Sequence, residues 1–180
     1  MRIAVSGTHR TGKSTLVEEL CLRLPDHATI AEPYELMLED GYEFSHPPSL
    51  EDFEAQLALS LQLLSERRTN AVFDRCPLDL VAYLSVHPEA EAFDIEDWRP
   101  RVHHALQTLN FLVFVPIEEY DRIVLASAEF QDHSRGEVDE ALRELLIEDY
   151  LDLGVEVLEV EGRTAARVNA VLQWFERRSS

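Results

Sequence analysis

The chain has 180 residues, 46% of them hydrophobic and 28% charged, which is typical of a globular protein and predicts one domain spanning residues 1–180. The formal net charge of -19 argues against a nucleic acid polymer as partner, because phosphate backbones are bound by basic surfaces. No apolar run is long enough to cross a bilayer, and the two cysteines show neither metal spacing nor a disulfide framework, so we expect a cytoplasmic protein with no membrane partner.

The chain opens with an apolar strand over residues 2–6 that leads into Gly7-x-x-x-x-Gly12-Lys13-Ser14, the Walker A pattern. In such a loop the backbone amides face a polyphosphate, Lys13 neutralises the β- and γ-phosphates, and Ser14 offers its hydroxyl to Mg²⁺. The helix that follows points its positive end at the phosphates. The predicted nucleotide-binding residues of the loop are Gly7, Thr8, Arg10, Thr11, Gly12, Lys13, Ser14 and Thr15.

A second short strand is predicted over residues 28–31 and ends at Glu32 and Pro33. The residue before a proline is held extended, so Glu32 is fixed at the carboxyl end of its strand. Ligands of parallel sheets bind at that end, which makes Glu32 a candidate general base. The alternative is an acid that serves only the first turn of the next helix.

Residues 40–49 are rich in turn-forming and aromatic residues and could close over a substrate. The helix predicted over residues 50–67 carries an apolar stripe with Gln56 at its edge. The Gln56 amide could recognise a planar ligand through paired hydrogen bonds. The alternative is a Gln56 bonded to the backbone at the edge of the core.

The third predicted strand, residues 71–73, ends in Asp74 and Arg75, and Pro77 suits the first turn of the next helix. An acid that ends an apolar strand downstream of a Walker A loop has the Walker B placement and predicts a Mg²⁺ ligand. Arg75 could bind a phosphate or the transferred group. The alternative is an exposed Asp-Arg ion pair, which would contribute little stability.

An apolar fourth strand over residues 111–115 is followed by a polar, turn-rich interval, from which Arg122 and Arg135 could form a lid. Such a lid would exclude water and add positive charge to a transferring phosphoryl group. A helix over residues 137–153 and an edge strand over residues 155–160 are predicted next.

The turn after that strand suits contact with a nucleotide base, through stacking by Arg163 or Arg167. The alternative for both is an exposed arginine at the start of the last helix.

These units predict an α/β fold, with a five-stranded parallel sheet flanked by helices, of the P-loop nucleoside triphosphate hydrolase type. The chain resembles P-loop kinases of the nucleoside and nucleotide kinase type, above all the deoxynucleoside kinases and the NadR-type ribosylnicotinamide kinase domains, which are catalogued as small AAA-type ATPase domains. Three motifs carry the resemblance: a Glu-Pro pair after the second strand, a Phe-x-x-Gln helix, and an acid-Arg-Ser motif after the third strand. They correspond to Glu32-Pro33, Phe53 to Gln56, and Asp74-Arg75 with Cys76 in place of serine.

The resemblance implies transfer of the γ-phosphoryl group of ATP to a hydroxyl of a small, nucleoside-like acceptor. The implied catalytic residues are Glu32, Lys13, Asp74 and Arg75, and the implied acceptor-binding residues are Glu32, Gln56 and Arg75. Ser14 and Asp74 are the implied Mg²⁺ ligands. The implied nucleotide contacts outside the loop are Arg122, Arg135 and Arg163. Two alternatives stay open, an ATPase or switch that acts on a protein partner and a kinase with a mononucleotide acceptor. The outer helices could also pair two copies in a homodimer.

Overall fold

The computed structural model describes residues 1–118 and 133–179. The strands in these ranges are β1 (Arg2–Ser6), β2 (Ala28–Ile30), β3 (Ala71–Asp74), β4 (Phe111–Phe114) and β5 (Val157–Glu159). The α-helices in the same ranges are α1 (Lys13–Arg23), α2 (Pro33–Glu39), α3 (Leu50–Ser65), α4 (Pro77–Ser85), α5 (Ile95–Leu106), α6 (His133–Leu146) and α7 (Thr164–Ser179). All strand pairs are parallel, in the order β2-β3-β1-β4-β5, so the predicted five-stranded parallel sheet is confirmed. None of the described helices is long and apolar enough to span a membrane.

Both faces of the sheet are covered by helices, which explains why the central strands are apolar throughout. Successive side chains of a strand point to opposite faces. In β4, Phe111 and Val113 join the core formed with α1 and α7, whereas Leu112 and Phe114 join the core formed with α3, α4, α5 and α6. The sheet is therefore the middle layer of three.

The carboxyl ends of the parallel strands meet at one edge of the sheet. Val5 pairs with Asp74 between β1 and β3, and Ile30 pairs with Phe73 between β2 and β3. The glycine-rich loop directly follows β1, Arg75 directly follows β3, and Glu32 lies two residues after the end of β2. The sheet register thus brings together three segments that the sequence predicts as site residues.

Helix α6 differs from the helix predicted over residues 137–153, since it begins four residues earlier and ends seven residues earlier. The early end has a local cause. The Asp149 carboxylate accepts hydrogen bonds from the amides of Leu153 and Gly154, at 2.7 and 3.1 Å, which stabilises a turn in place of further helix.

The loop over residues 40–49 is tied to α3 by the buried carboxylate of Asp52. This carboxylate accepts hydrogen bonds from the Tyr42 hydroxyl at 3.0 Å and from the amides of Ser45 and Ser49 at 3.0 and 2.8 Å. The Ser49 side chain in turn accepts from the Asp52 amide at 3.2 Å, which completes a capping box at the start of α3. Burial alone would raise the pKa of Asp52, but these hydrogen bonds lower it.

We expect Asp52→Ala to lower the free energy of unfolding by about 2 kcal/mol, because three donors lose a charged acceptor. The lowered pKa means that Asp52 stabilises the fold above an unfolded-state pKa of about 4, and that this contribution is lost as the pH falls through the lower folded-state pKa. Urea unfolding at neutral and acidic pH measures both effects. Glu51→Ala is the matched control, since Glu51 is exposed on the same helical turn, and an equal loss in both variants would contradict this role of Asp52.

Candidate active site

The glycine-rich loop, residues 7–14, is called the P-loop below, and its two glycines are required for different reasons. A Cβ atom on Gly7 would lie 2.4 Å from the carbonyl oxygen of Val115, so the chain after β4 leaves no room for a side chain. Gly12 has a φ of +86°, and a Cβ atom there would lie 3.3 Å from Arg167. Glycine therefore allows both the close packing and the positive φ that this loop needs.

Lys13 is the first residue of α1, and it is the only lysine in the sequence. Its side chain is buried, and Nζ donates a hydrogen bond to the Thr8 carbonyl at 2.7 Å. Burial, and after it the positive charge of Arg75, lowers the pKa of Lys13 to about 8. A polyphosphate in the loop would favour the charged amine and raise this pKa again.

Cationic side chains hold every carbonyl group of the P-loop from residue 7 to residue 11. Arg75 donates to the first at 3.3 Å and Lys13 to the second at 2.7 Å. Arg135 of α6 donates to the third and fourth at 2.9 and 3.3 Å, and Arg167 of α7 donates to the fifth at 2.6 Å. Because these cations neutralise the negative ends of the peptide groups, the loop has a positive local potential.

Ser14 and Asp74 lie together at the start of α1 and the end of β3. The Ser14 side chain lies close enough to the Asp74 carboxylate to lower its pKa. Asp74 is buried, and its Oδ1 atom has no hydrogen-bond partner among the described residues. Burial is the main cause that raises the pKa of Asp74, while Ser14 and Lys13 oppose it. An orphaned buried carboxylate oxygen beside a hydroxyl is a fitting place for the oxygen-seeking Mg²⁺ ion.

Residues 1–118 and 133–179 contain no group of three or more His, Cys, Asp or Glu side chains placed to hold a metal by themselves. A Mg²⁺ ion at Ser14 and Asp74 would therefore need phosphate oxygens and water to complete its coordination, as is usual for this ion. Ser14 and Asp74 therefore fit a metal ion that enters the site bound to a nucleotide.

Glu32 and Arg75 form an ion pair that joins the carboxyl ends of β2 and β3. Arg75 Nε donates to Glu32 Oε2, and the two side chains are 11% and 21% exposed. Glu32 is the N-cap residue of α2, but its side chain makes no capping hydrogen bond. Glu32 therefore does not act as an acid that serves only the first turn of α2. Arg75 pairs with Glu32, and not with Asp74 in an exposed ion pair.

The backbone of Arg75 is strained, with a positive φ of 79°. Its amide donates to the Val5 carbonyl at 2.9 Å, which anchors the residue beside β1. Burial alone would lower the pKa of the Arg75 guanidinium, but Tyr83, Asp79 and Glu32 together raise it. The side chain thus stays charged between the P-loop and Glu32.

Asp79, in the first turn of α4, has no role in the sequence-based prediction. Its fully buried carboxylate accepts hydrogen bonds from the Ser6 hydroxyl at 2.8 Å, the Gly7 amide at 2.9 Å and the Cys76 amide at 2.9 Å. Arg75 lies 3.5 Å from it. An acid three residues after a helix N-cap is a capping signal, and this signal could have identified Asp79.

Gln56 of α3, a candidate for recognising a planar ligand, is bonded to the backbone. Its Nε2 donates to the Asp52 carbonyl at 3.2 Å, which is the alternative predicted for it. Phe53, one turn earlier, stacks on Tyr83 of α4, with ring centroids 5.3 Å apart and an interplanar angle of 5°. Tyr83 also lies 5.4 Å from the guanidinium carbon of Arg75. This aromatic pair, which the prediction missed on the α4 side, forms a wall beside the ion pair.

The arginines predicted near the nucleotide differ in their burial and in their contact with the P-loop. Arg135 is buried in α6 against the P-loop, not in a turn, and Arg122 lies outside the described residues. Arg163 is exposed just before α7. Arg167 is buried and donates hydrogen bonds to the Thr11 carbonyl of the P-loop and to Glu118, the latter at 2.5 Å. Its guanidinium therefore links the P-loop to Glu118.

The family model described as an AAA domain matches residues 2–167. No curated protein sequence matches the chain. Among solved structures, the deoxyadenosine kinase from M. mycoides with bound dATP has a TM-score of 0.68 at 15% sequence identity, over 98% of this chain and 100% of that chain.

Two further structures are similar at the same level. The NadR protein in complex with NR has a TM-score of 0.66 at 17% identity and covers 96% of this chain, which spans 49% of that protein. Shikimate kinase from Acinetobacter baumannii in complex with shikimate has a TM-score of 0.59 at 15% identity, over 98% of this chain and 93% of that chain. Identities in this range show the fold alone. The chain belongs to the AAA domain family, and its fold is that of the P-loop nucleoside and nucleotide kinases.

Proposed function

We propose that the protein is an ATP-dependent kinase that transfers the γ-phosphoryl group to a hydroxyl of a small, nucleoside-like acceptor. The observation that carries the proposal is the ion pair between Glu32 and Arg75 beside the P-loop. It provides a carboxylate for the acceptor hydroxyl and a fixed cation for the moving group, next to a loop suited to polyphosphate. An ATPase could use the same carboxylate to orient water, so the dependence of ADP release on an acceptor is what separates the two functions.

On the donor side, the P-loop and its cations bind the phosphates. Lys13 neutralises the β- and γ-phosphates, and Gly7 and Gly12 let the backbone approach them. Thr8, Arg10, Thr11, Ser14 and Thr15 complete the predicted contacts of the loop. Arg163 remains the proposed contact for the base, because it is exposed at the turn that follows β5.

Ser14 and Asp74 would hold Mg²⁺ that enters with the nucleotide. When bound, the ion supplies positive charge that neutralises the phosphate oxygens of the donor. The protein contributes the buried carboxylate and the hydroxyl, held in place by β3 and α1.

The transfer step forms a bond between the acceptor oxygen and the γ-phosphorus and breaks the bond from that phosphorus to the β,γ-bridging oxygen. Glu32 orients the acceptor hydroxyl and takes its proton, and ADP leaves with the bridging oxygen. Arg75 stabilises negative charge on the phosphoryl group during transfer, and Arg135 adds to the positive potential. Phosphoryl transfer depends mainly on such positioning and charge stabilisation.

A nucleoside-like acceptor is supported by the aromatic wall of Phe53 and Tyr83, which could hold a planar ring next to Glu32. Among the similar structures, the deoxyadenosine kinase binds dATP and the NadR protein binds NR, whereas shikimate kinase binds a non-aromatic acceptor. A test for the acceptor must therefore include molecules with an aromatic base and molecules without one.

The direct test is ADP release from Mg-ATP with and without deoxynucleosides, nicotinamide riboside, shikimate and nucleoside monophosphates. We expect one acceptor to increase ADP release strongly, and we expect Lys13→Ala to abolish the increase because the phosphates lose their buried cation. Release of ADP that no acceptor changes would contradict the kinase proposal and favour an ATPase or a switch that acts on a protein partner.

We expect Glu32→Gln to lower kcat by roughly 10²- to 10⁴-fold with little change in ATP affinity, because the amide still accepts from Arg75 but takes no proton. Steady-state kinetics and ATP titration measure the two effects. Glu39→Gln, at the exposed end of the same helix, is the control for loss of one negative charge. If Glu32→Gln retained full transfer to every accepted substrate, Glu32 would not be the base.

Because Lys13 is the only lysine, its pKa can be observed directly. In protein labelled with ¹³C at the lysine Cε atom, we expect one lysine resonance that titrates with a pKa of about 8 in the absence of nucleotide. A non-hydrolysable ATP analogue should raise this pKa by about one unit or more, because the polyphosphate favours the charged amine. An unchanged pKa in the saturated complex would show that Lys13 does not contact the phosphates.

A further inference from the structure

Tyr83 connects the acceptor side of the site to the P-loop through its hydroxyl group. The hydroxyl oxygen lies 3.2 Å from the His9 amide nitrogen, which donates to it, and 3.1 Å from His9 Nδ1. The two rings are also stacked, with centroids 6.5 Å apart and an interplanar angle of 25°. A single phenol therefore contacts both the backbone and the side chain of one P-loop residue.

One hydroxyl can satisfy both contacts in either tautomer of His9. It accepts the hydrogen of the His9 amide, and it has one hydrogen to donate and a second lone pair. If Nδ1 carries a lone pair, it accepts the hydroxyl hydrogen; if Nδ1 carries a proton, it donates that proton to the hydroxyl oxygen. In both cases the Tyr83 hydroxyl holds the amide and the ring of His9 together.

His9 is held from two directions at once. Tyr83 binds its amide, while Arg135 of α6 donates to its carbonyl oxygen at 2.9 Å. Arg10, the next residue, has a positive φ of 60°. A non-glycine residue in that conformation persists only where its surroundings hold it in place, and these contacts hold the preceding peptide groups.

The ring of Tyr83 has contacts that are independent of its hydroxyl. Phe53 stacks on it in parallel, and the guanidinium carbon of Arg75 lies 5.4 Å from its centroid. The ring is thus part of the acceptor-side wall, whereas the hydroxyl belongs to the donor loop. Substitutions can separate these two contributions.

We propose that Tyr83 is a positioning residue for phosphoryl transfer, whose hydroxyl fixes His9 and thereby aligns the P-loop with the acceptor wall. The proposal rests on the kinase function proposed above. The hydroxyl of Tyr83 need not touch either substrate, since it acts on the donor loop through His9, whereas the ring belongs to the acceptor-side wall.

The test compares Tyr83→Phe with Tyr83→Leu. Tyr83→Phe keeps the ring and removes both part-buried contacts of the hydroxyl with His9, so we expect kcat to fall about tenfold, while KM for the acceptor stays within about twofold. Tyr83→Leu also removes the wall, so KM for the acceptor should rise as well. Tyr150→Phe is the matched control, because Tyr150 is 77% exposed. A Tyr83→Phe variant with wild-type kcat, or with the same KM increase as Tyr83→Leu, would overturn the proposal.

A double-mutant cycle tests whether the effect passes through His9. We expect Tyr83→Phe to lower kcat by a smaller factor in a His9→Ala background than in the wild type, because the ring contact is already absent and only the contact with the amide of residue 9 remains to be lost. Independent, multiplicative effects of the two substitutions would contradict the proposed connection. Thermal unfolding of each variant shows whether the fold is retained.

The contact between Tyr83 and His9 can be measured without catalysis. In ¹⁵N-labelled protein, the His9→Gln spectrum identifies the His9 signals among the seven histidines. We expect Tyr83→Phe to shift the backbone amide and imidazole Nδ1 signals of His9, because both lose their contact with the hydroxyl. This arm tests the contact even if no acceptor is found, so a failure of the kinase proposal remains distinguishable. Unchanged His9 signals in Tyr83→Phe would overturn the inference.

Discussion

The site depends on how the carbonyl groups of the P-loop are held. From residue 7 to residue 11, each carbonyl oxygen accepts a hydrogen bond from a lysine or arginine side chain, and the four donors come from four different parts of the chain. A loop rich in peptide dipoles can bind an anion only if the negative ends of those dipoles are turned away or neutralised. The helices α6 and α7, which are distant in sequence, thus supply arginines that hold three of the five carbonyl groups.

A buried acid, Asp79, offsets part of this positive charge at the start of the P-loop. Asp79 accepts from the Ser6 hydroxyl and from the amides of Gly7 and Cys76, and it also faces Arg75. A fully buried carboxylate is unfavourable unless its oxygens are satisfied, and here every donor belongs to a segment that must be placed accurately. The end of β1, the start of the P-loop and the start of α4 are therefore fixed relative to one another by one group.

The local features of the site could be predicted from the sequence, and the long-range contacts could not. The P-loop glycines, the extended Glu32 and the acid at the end of β3 follow from spacing and from the restriction before proline. The contacts of Asp79 with Ser6 and of Arg135 with His9 join residues 73 and 126 positions apart, and no local pattern reports them. Arg135 was expected in a lid, because the polar residues around it are typical of a turn and the packing of α6 is a tertiary effect. The functional roles of all these residues remain predictions.

The net charge of -19 is compatible with a polyanionic substrate because of where the few cations are placed. Lys13, Arg135 and Arg167 are all buried, so solvent screens them less than it screens the acidic surface groups. Their charges act at short range within the P-loop, whereas the exposed carboxylates act through water at a higher effective dielectric constant. A small phosphorylated ligand enters that local field, but a long polyanion would extend beyond it and meet the acidic surface. The charge distribution therefore favours a mononucleotide donor and a small acceptor over a polynucleotide.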